Sequence, residues 1–425
     1  MPGPDPAQLD KARRTVEAVW RIESPRLLGA LVRMLRDVDL AEELSQDALL
    51  AALESWPRDG APDNPGAWLM TTAKRRGIDR LRRHALQHER EAEIARALED
   101  APQAAFDTAQ AKLDEDIEDD LLRLMFIACH PVLSPEAQVA LTLRLLGGLE
   151  TTEIARAFLV PEATVAQRIV RAKRQLEQAR APFEAPRGAE RDARIGAVLA
   201  VLYLVFNEGY ASSSGEHWLR PPLAQEAMRL GRQLLALAPQ HAEAHGLQAL
   251  MELQASRFRA RSGNDGAPVR LDEQDRARWD RLLIGRGLAL LERAEALSPG
   301  RGAYTLQAGI AACHARASRA EETDWVRIAA LYTALAQVAG SPVVELNRAV
   351  AMGMAFGAEV ALPLLEALSH EASLRDYHLL PAARAEMLER AGRAPEAAAA
   401  WREAAALAGS EREHDWLLAR AARTP

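Results

Sequence analysis

The hydrophobic positions of this chain recur at the three- and four-residue spacing of amphipathic helices, and the alternating pattern of strands is nearly missing. Before residue 90, the pattern predicts helices over residues 15–34, 39–56 and 65–83. The segment "WPRDGAPDNPG" predicts a loop between the last two of these helices. The composition, with 48% apolar and only 5% aromatic residues, also favours an all-α protein.

Residues 151–176, "TTEIARAFLVPEATVAQRIVRAKRQL", contain two short amphipathic segments separated by a break. Thr152 stands where a helix N-cap is expected, and Ile154 and Phe158 would face inward. Pro161 interrupts the pattern and suits the opening of a second helix, in which Val165 resumes the apolar stripe. The spacing therefore predicts a helix-turn-helix, preceded by helices over residues 121–130 and 134–146.

The outer face of the second segment carries hydrogen-bonding side chains first and positive charge afterwards. These residues are Thr164, Gln167, Arg168, Arg171, Lys173 and Arg174. Such an order is typical of a helix that lies in the major groove of DNA. The alternative is a helical hairpin in an all-α protein whose surfaces are generally rich in arginine.

Two helices of opposite charge precede this motif. The first has the polar, mostly acidic face Asp39, Glu42, Glu43, Gln46 and Asp47. The second, which follows the Pro/Gly loop, carries Lys74, Arg75, Arg76, Arg80, Arg82 and Arg83. An acidic face by itself is usually only solvated, but an acidic helix, a loop and a basic helix form an unusual succession.

Charge is distributed unevenly in a chain of net charge −7. Residues 74–90 contain seven basic and two acidic residues, whereas residues 91–120 contain eleven acidic and two basic ones. The acidic segment 91–119 is interpreted as a linker. It either competes with DNA for the neighbouring basic surfaces or is simply solvated.

Residues 191–425 repeat a loose pattern in which Ala/Leu-rich helices are separated by breaks at Pro or Gly. This pattern is similar to that of tetratricopeptide repeats, although the breaks are irregularly spaced. The connection "APFEAPRG" to the preceding block is short. Contact between the two blocks is therefore expected.

The segments "DVDLAEELSQDALLAALESW" and "AWLMTTAKRRGIDRLRR" resemble region 2 of the sigma-70 family, and the helix-turn-helix resembles region 4. The arrangement is that of the extracytoplasmic-function (ECF) group, which keeps only these two regions. Three further segments, "YLVFNEGYASSSG", "LDEQDRARWDRLLI" and "SPVVELNRAVAMGMAFG", resemble the tetratricopeptide-like C-terminal extension of one sigma subgroup.

The resemblance implies an all-α protein with region 2 at residues 8–90, region 4 at 120–180 and the helical extension at 191–425. It also implies an alternative sigma factor whose partners are core RNA polymerase and promoter DNA. The acidic face would dock on the clamp coiled coil, and region 4 would contact the flap. The basic helix would bind and melt the minus-10 element, and the helix-turn-helix would read the minus-35 element.

Enzyme and metal chemistry find little support in the sequence, and neither a cofactor nor a metal is expected. His241 and His245 are one helical turn apart, but Glu243 does not complete the metalloprotease pattern. A catalytic set could be drawn from Glu208, Ser212–Ser214 and His217. No nucleophile elbow or oxyanion motif accompanies these residues, so a polar loop between helices is favoured.

Cys129 and Cys313 lie far apart and lack metal-ligand spacing, which predicts buried thiols in a reducing compartment. The first residues have no signal-peptide pattern, and the longest apolar run, 195–206, is too short to cross a bilayer. A cytoplasmic protein without a membrane partner is expected.

Two other functions compete with the sigma interpretation. A stand-alone helix-turn-helix regulator with sensing repeats would leave the acidic and basic helices unexplained. A scaffold or enzyme made by the repeats would reduce the first two blocks to accessories. The role of the extension, which either regulates the sigma regions or binds a partner, stays open at the level of sequence.

Overall fold

The computed structural model describes residues 6–84, 120–158, 160–179, 186, 188–210, 220–263, 269–298, 300–408 and 411–423. The chain forms two compact units, Met1–Pro239 and Gln240–Pro425. Within the described ranges, the regular structure is helical apart from one isolated bridge residue, Ser262. The predicted all-α class is confirmed.

The first unit begins with three mutually packed helices, α1 (Pro6–Leu35), α2 (Val38–Asp59) and α3 (Pro65–His84). The Asp37 carboxylate caps α2 by accepting from the Leu40 backbone N–H at 3.0 Å. The prediction that Trp56 begins the following loop is wrong, since α2 continues to Asp59. Trp56 is buried and meets Trp68 edge-on, with ring centroids 5.5 Å apart, because its indole fills the gap between α2 and α3.

Four more helices follow in the same unit: α4 (120–128), α5 (Pro135–Leu145), α6 (Thr151–Phe158) and α7 (Glu162–Gln178). The helix-turn-helix is formed by α6 and α7, whose buried residues include Ile154 and Val165. The predicted N-cap at Thr152 is wrong, because α6 begins one residue earlier. The Glu153 carboxylate instead accepts from the Glu150 backbone N–H at 2.8 Å, which satisfies a free donor at the helix start.

The first unit ends with α8 (Gly188–Tyr210) and α9 (Pro221–Leu237), which pack on each other, while α8 also packs on α5. Gly209 permits a close approach of the two helices, because a Cβ atom there would collide with the backbone of Ala224. Residues Glu190–Tyr210 are long and apolar enough to cross a membrane by length and composition alone. The packing of α8 as a core helix accounts for this composition equally well.

The second unit contains nine described α-helices. They are α10 (Ala242–Ala255), α11 (Arg281–Leu297), α12 (Ala303–Arg316), α13 (Trp325–Ala339), α14 (Pro342–Phe356), α15 (Ala358–Leu368), α16 (Leu379–Arg390), α17 (Ala394–Ala406) and α18 (Glu411–Arg423). One buried cluster joins α12 to α14, a second joins α14 to α16, and a third joins α16 to α18. The core thus passes from helix to helix along the chain, as in helical-repeat domains.

Two glycines of this unit provide a matched test of the packing. A Cβ at Gly246 in α10 would lie 2.5 Å from the Thr305 Oγ1 and 2.7 Å from the Thr305 N, whereas a Cβ at Gly285 in α11 would meet nothing within 4 Å. We expect Gly246→Ala to lower the free energy of unfolding by about 1–3 kcal/mol. Gly285→Ala should instead raise it by up to about 1 kcal/mol. Urea denaturation measures both changes, and equal effects would contradict the close contact between α10 and α12.

Candidate functional site

The acidic face predicted on α2 is present, but its members differ in exposure. The Asp39 side chain is 70% exposed and that of Glu42 only 17%. Glu43 is exposed, and Gln46 and Asp47 are half-buried. Glu42 is therefore the member of this face that must satisfy its charge within the protein.

Glu42 lies between two cations from the helix-turn-helix half of the unit. Its Oε1 accepts from the Arg144 Nε at 2.8 Å, and its Oε2 forms an ion pair with the Lys173 Nζ at 2.9 Å. Lys173 also donates to the Asp39 Oδ1 at 2.5 Å. We call Asp39, Glu42, Arg144 and Lys173 the ion-pair cluster. It joins residues predicted to bind polymerase to a residue predicted to bind DNA.

The pKa shifts within the ion-pair cluster indicate that its charges stabilise one another. Burial raises the pKa of Glu42, but Lys173 and Arg144 more than offset this effect, so the pKa lies below its ordinary value of 4.5. Burial lowers the pKa of Lys173, and Glu42 and Asp39 raise it above its ordinary value. Because the Glu42 pKa is depressed, its contribution to stability is present above about pH 4.5 and is lost as the pH falls through the lower folded-state value.

A second set of contacts joins α1 to α4. The Arg33 Nε lies 2.9 Å from the Asp120 Oδ1, and the Asp120 side chain is only 2% exposed. Arg123 adds a second cation to this carboxylate at 3.0 Å. Gly29 allows the backbone of Asp120 to approach α1, because a Cβ there would lie 2.9 Å from the Asp120 carbonyl oxygen. The two halves of the unit are thus held together at two separate places.

The predicted DNA-reading face of α7 remains largely accessible. Gln167, Arg171 and Arg174 are exposed, and Thr164 and Arg168 are half-buried. Lys173 differs from them, because it turns toward α2 and its side chain is only 13% exposed. The predicted DNA-reading face of α7 is therefore accessible except at Lys173, which is engaged in a contact within the protein.

The basic residues of α3 are less uniform than the sequence indicates. Burial, assisted by the positive charge of Arg33, lowers the pKa of Lys74. Arg75 is exposed, and Arg76 lies 3.9 Å from Asp47 of the acidic face. Three further arginines lie on α3, but their side chains are outside the described residues: Arg80, Arg82 and Arg83. The acidic linker 91–119 also lies outside the described ranges.

Three arginines, one in α8, one at the N-cap of α9 and one within α9, donate to backbone carbonyls of the helix-turn-helix half. Arg194 donates to the Phe126 oxygen at 2.7 Å and Arg229 to the Leu146 oxygen at 2.8 Å. Arg220 donates to the Ala157 oxygen and is paired with Glu208 at 2.5 Å. These carbonyls are at or near the ends of α4, α5 and α6, where cations are favoured by the helix dipole.

Sequence reasoning missed Arg144, Arg194, Arg220 and Arg229. The available signal for Arg144 is a charge inside the apolar run "LTLRLL", since a charge at a buried position requires a partner. The other three follow no periodic pattern, and their acceptors are distant in sequence. Only the folded chain brings these donors to their acceptors.

The motifs considered for metal binding or catalysis have structural roles where they are described. His241 caps α10 by accepting from the Ala244 N–H, and Glu243 accepts from the Tyr304 and Thr305 N–H groups at the start of α12. Ser212–Ser214 and His217 lie outside the described residues. Among those that are described, no group of three His, Cys, Asp or Glu side chains could hold a metal ion.

The predicted burial of both thiols is confirmed, since Cys129 and Cys313 are free and buried. Burial raises the pKa of Cys129 to about 12, although the hydrogen bond between Cys129 and Thr142 and the charge of Arg194 act in the opposite direction. The thiol therefore stays protonated at neutral pH and behaves as an apolar group.

Comparison with known families matches three parts of the chain. Residues 20–87 match sigma-70 region 2, residues 123–176 match sigma-70 region 4, and residues 194–295 match a family of unknown function, DUF6596.

An uncharacterized protein of Rhizobium meliloti (strain 1021) is 43% identical over 92% of both chains. The ECF RNA polymerase sigma factor SigK of Mycobacterium sp. (strain KMS) is 30% identical over 34% of this chain and 72% of its own length. The match to the crystal structure of yeast Tom70 extends over 98% of this chain and 85% of the Tom70 chain, with 12% sequence identity and a TM-score of 0.36. This score is too low to indicate a shared fold.

A double-mutant cycle tests the ion-pair cluster. We expect Glu42→Gln and Lys173→Met each to lower the free energy of unfolding, with a coupling of about 1–3 kcal/mol between them because neither charge is well solvated. The exposed pair Arg319 and Glu322, whose side chains are 75% and 42% exposed, provides the control and should show little coupling. Additive effects at Glu42 and Lys173 would mean that the pair does not join the two halves in solution.

Proposed function

Because this chain belongs to the ECF group of the sigma-70 family of RNA polymerase sigma factors, we propose that it binds core RNA polymerase and directs initiation at a specific set of promoters. The single observation that best supports this role is that one compact unit combines the acidic face of α2 with a helix-turn-helix whose second helix, α7, has an exposed polar and basic face. The sigma family is not an enzyme family. We further infer that the protein is non-enzymatic and acts in the cytoplasm.

The proposed division of labour follows the charges of the helices. The acidic face of α2 docks on the clamp coiled coil, with the exposed Glu43 as an accessible member. The exposed face of α7, including Gln167 and Arg171, reads the minus-35 element, while region 4 as a whole contacts the flap. The basic face of α3 supplies charge for binding and melting the minus-10 element, since cations bind phosphate without reading sequence.

The ion-pair cluster implies that the protein changes conformation when it binds polymerase. Glu42 and Asp39 are occupied by Arg144 and Lys173, so polymerase and region 4 compete for the same face of α2. Lys173 is likewise unable to reach DNA while it is paired with two carboxylates. We infer that region 4 separates from region 2 when the protein binds polymerase, and that the closed arrangement lowers the affinity of the free protein.

The extension acts on region 4 through its first two helices. Arg194, Arg220 and Arg229 satisfy carbonyl oxygens near the ends of three region 4 helices, so removal of α8 and α9 would leave these acceptors without their partners. We infer that α8 and α9 support the fold of region 4, and that the second unit binds a further partner or ligand. The domain boundaries at residues 90, 120, 180 and 191 stay predictions.

Two substitutions separate polymerase binding from promoter reading. We expect Glu43→Arg to weaken co-purification with core RNA polymerase, because it reverses an exposed charge on the docking face. Arg171→Ala should leave core binding intact and weaken binding to the upstream element by about 1–3 kcal/mol if Arg171 contacts a base. Run-off transcription from a selected promoter should fall in both variants.

The control for this experiment is Glu17→Arg, which reverses an exposed charge on α1 rather than on α2. It should bind core polymerase and transcribe like the unmodified protein. A full chain that fails to form a stoichiometric complex with core polymerase would refute the sigma function itself.

Truncation at two positions tests the role of α8 and α9. A chain ending at Pro239 keeps the three arginine contacts, whereas a chain ending at Arg180 loses them. We expect the longer fragment to melt cooperatively and the shorter one to melt at a lower temperature, with fewer protected amides in α4 to α6 by hydrogen exchange. Equal melting temperatures would show that region 4 does not depend on the extension.

Run-off transcription with the same two fragments measures regulation separately from folding. A fragment ending at Pro239 that transcribes differently from the full chain would show that the second unit controls the sigma regions. Identical transcription by both would mean that the second unit does not regulate this activity.

A further inference from the structure

The second unit contains a cavity of about 190 Å³ beside α10 and α12. Leu250, Leu253 and Ile310 contribute apolar surface to it, and Arg257, Trp279 and His314 contribute polar groups. The cavity is slightly larger than the apolar cavity of about 150 Å³ that holds a benzene molecule in another protein. Its size therefore suits a ligand with a single ring or a short branched alkyl group.

Two guanidinium groups lie close to Trp279, which lines the cavity. The indole is only 3% exposed, and the Arg257 Cζ lies 5.9 Å and the Arg276 Cζ 4.9 Å from its ring centroid. Arg276 is fixed by hydrogen bonds to the carbonyl oxygens of His314 at 2.7 Å and Ala317 at 2.8 Å. These acceptors are neutral, so they fix the guanidinium of Arg276 without cancelling its charge.

Two ring nitrogens of the cavity lining lack partners among the described residues. The Trp279 Nε1 and the His314 Nδ1 are both buried and have no hydrogen-bond partner there. Burial and the charges of Arg257 and Arg276 lower the pKa of His314 to about 4, so this imidazole is neutral at pH 7. None of the described residues that line the cavity is acidic. The carboxylates that act on Arg276, Glu321 and Glu322, do not line it.

We propose that this cavity binds a small monocarboxylate with an apolar or aromatic body, of about the size of benzoate. The carboxylate would accept from the Trp279 Nε1 and the Arg257 guanidinium, and from His314 in its Nδ1-protonated form. The body of the ligand would pack on Leu250, Leu253 and Ile310. A carboxylate satisfies buried donors and positive potential together, whereas a neutral ligand satisfies only the donors.

The site lies entirely within the second unit and uses no residue assigned to polymerase or promoter binding. It therefore does not depend on the proposed sigma function, and each can fail without the other. The class of ligand follows from the charge and size of the cavity alone.

Isothermal titration of the full chain tests the proposal with three probes of similar size. We expect benzoate to bind saturably at pH 7, and benzyl alcohol and benzylammonium to bind at least about tenfold more weakly, because they lack the charge that the arginines favour. Saturation-transfer NMR should show the benzoate ring in contact with the protein. No saturable benzoate binding, or equal affinity for benzyl alcohol, would overturn the proposal.

Two substitutions locate the binding in the cavity. Ala311→Leu adds volume to its lining without changing charge, and Trp279→Phe removes the Nε1–H while keeping an aromatic ring. Each should weaken benzoate binding about tenfold or more, whereas Trp416→Phe, at a half-exposed tryptophan of α18, should not. Thermal unfolding shows whether each variant is folded. One folded cavity variant is enough to test whether benzoate binds in the cavity. Unchanged benzoate affinity in that variant would show that the anion binds elsewhere.

Discussion

The arrangement of the first unit depends on the carboxylate of Glu42, which is largely removed from water and held by Arg144 and Lys173. A charge in such a position is stable only while its partners remain, because each unpaired ion would have to be desolvated without compensation. The two partners come from α5 and α7, so this requirement fixes the helix-turn-helix against α2. Asp120 follows the same principle, since its buried carboxylate is paired with Arg33 across the two halves. Asp39, which is largely exposed, adds a second carboxylate to Lys173.

On the proposed assignment, the same side chains have two incompatible uses. The acidic face of α2 cannot dock on polymerase while its buried member is paired with region 4, and Lys173 cannot approach DNA while it neutralises that member. Polymerase and promoter DNA would each bind the open arrangement better than the closed one, so each would favour the other's binding. The pairing is electrostatic and partly exposed at Asp39, so added salt should loosen it.

The helices that carry the candidate surfaces could be predicted because their signals are local. Apolar spacing defined α2, α3 and α7, and the family motifs identified which faces of these helices to consider. The errors at Trp56 and Thr152 concern helix ends, where packing of an indole and capping by Glu153 outweigh the local preference. The partners of Glu42 could not be predicted, since Arg144 is 102 residues away and the contact depends on how two helical groups pack.

The extension contains two structural features that its sequence does not separate. Residues 194–295 match one family, yet the division between the compact units falls within this range, at Pro239 and Gln240. The part before the division donates arginine hydrogen bonds to the ends of region 4 helices, and the part after it contributes Arg257 and Trp279 to a cavity of its own. Ile310 and His314, which also line this cavity, lie beyond the end of the match. The matched segment therefore covers parts of two compact units rather than one folded domain.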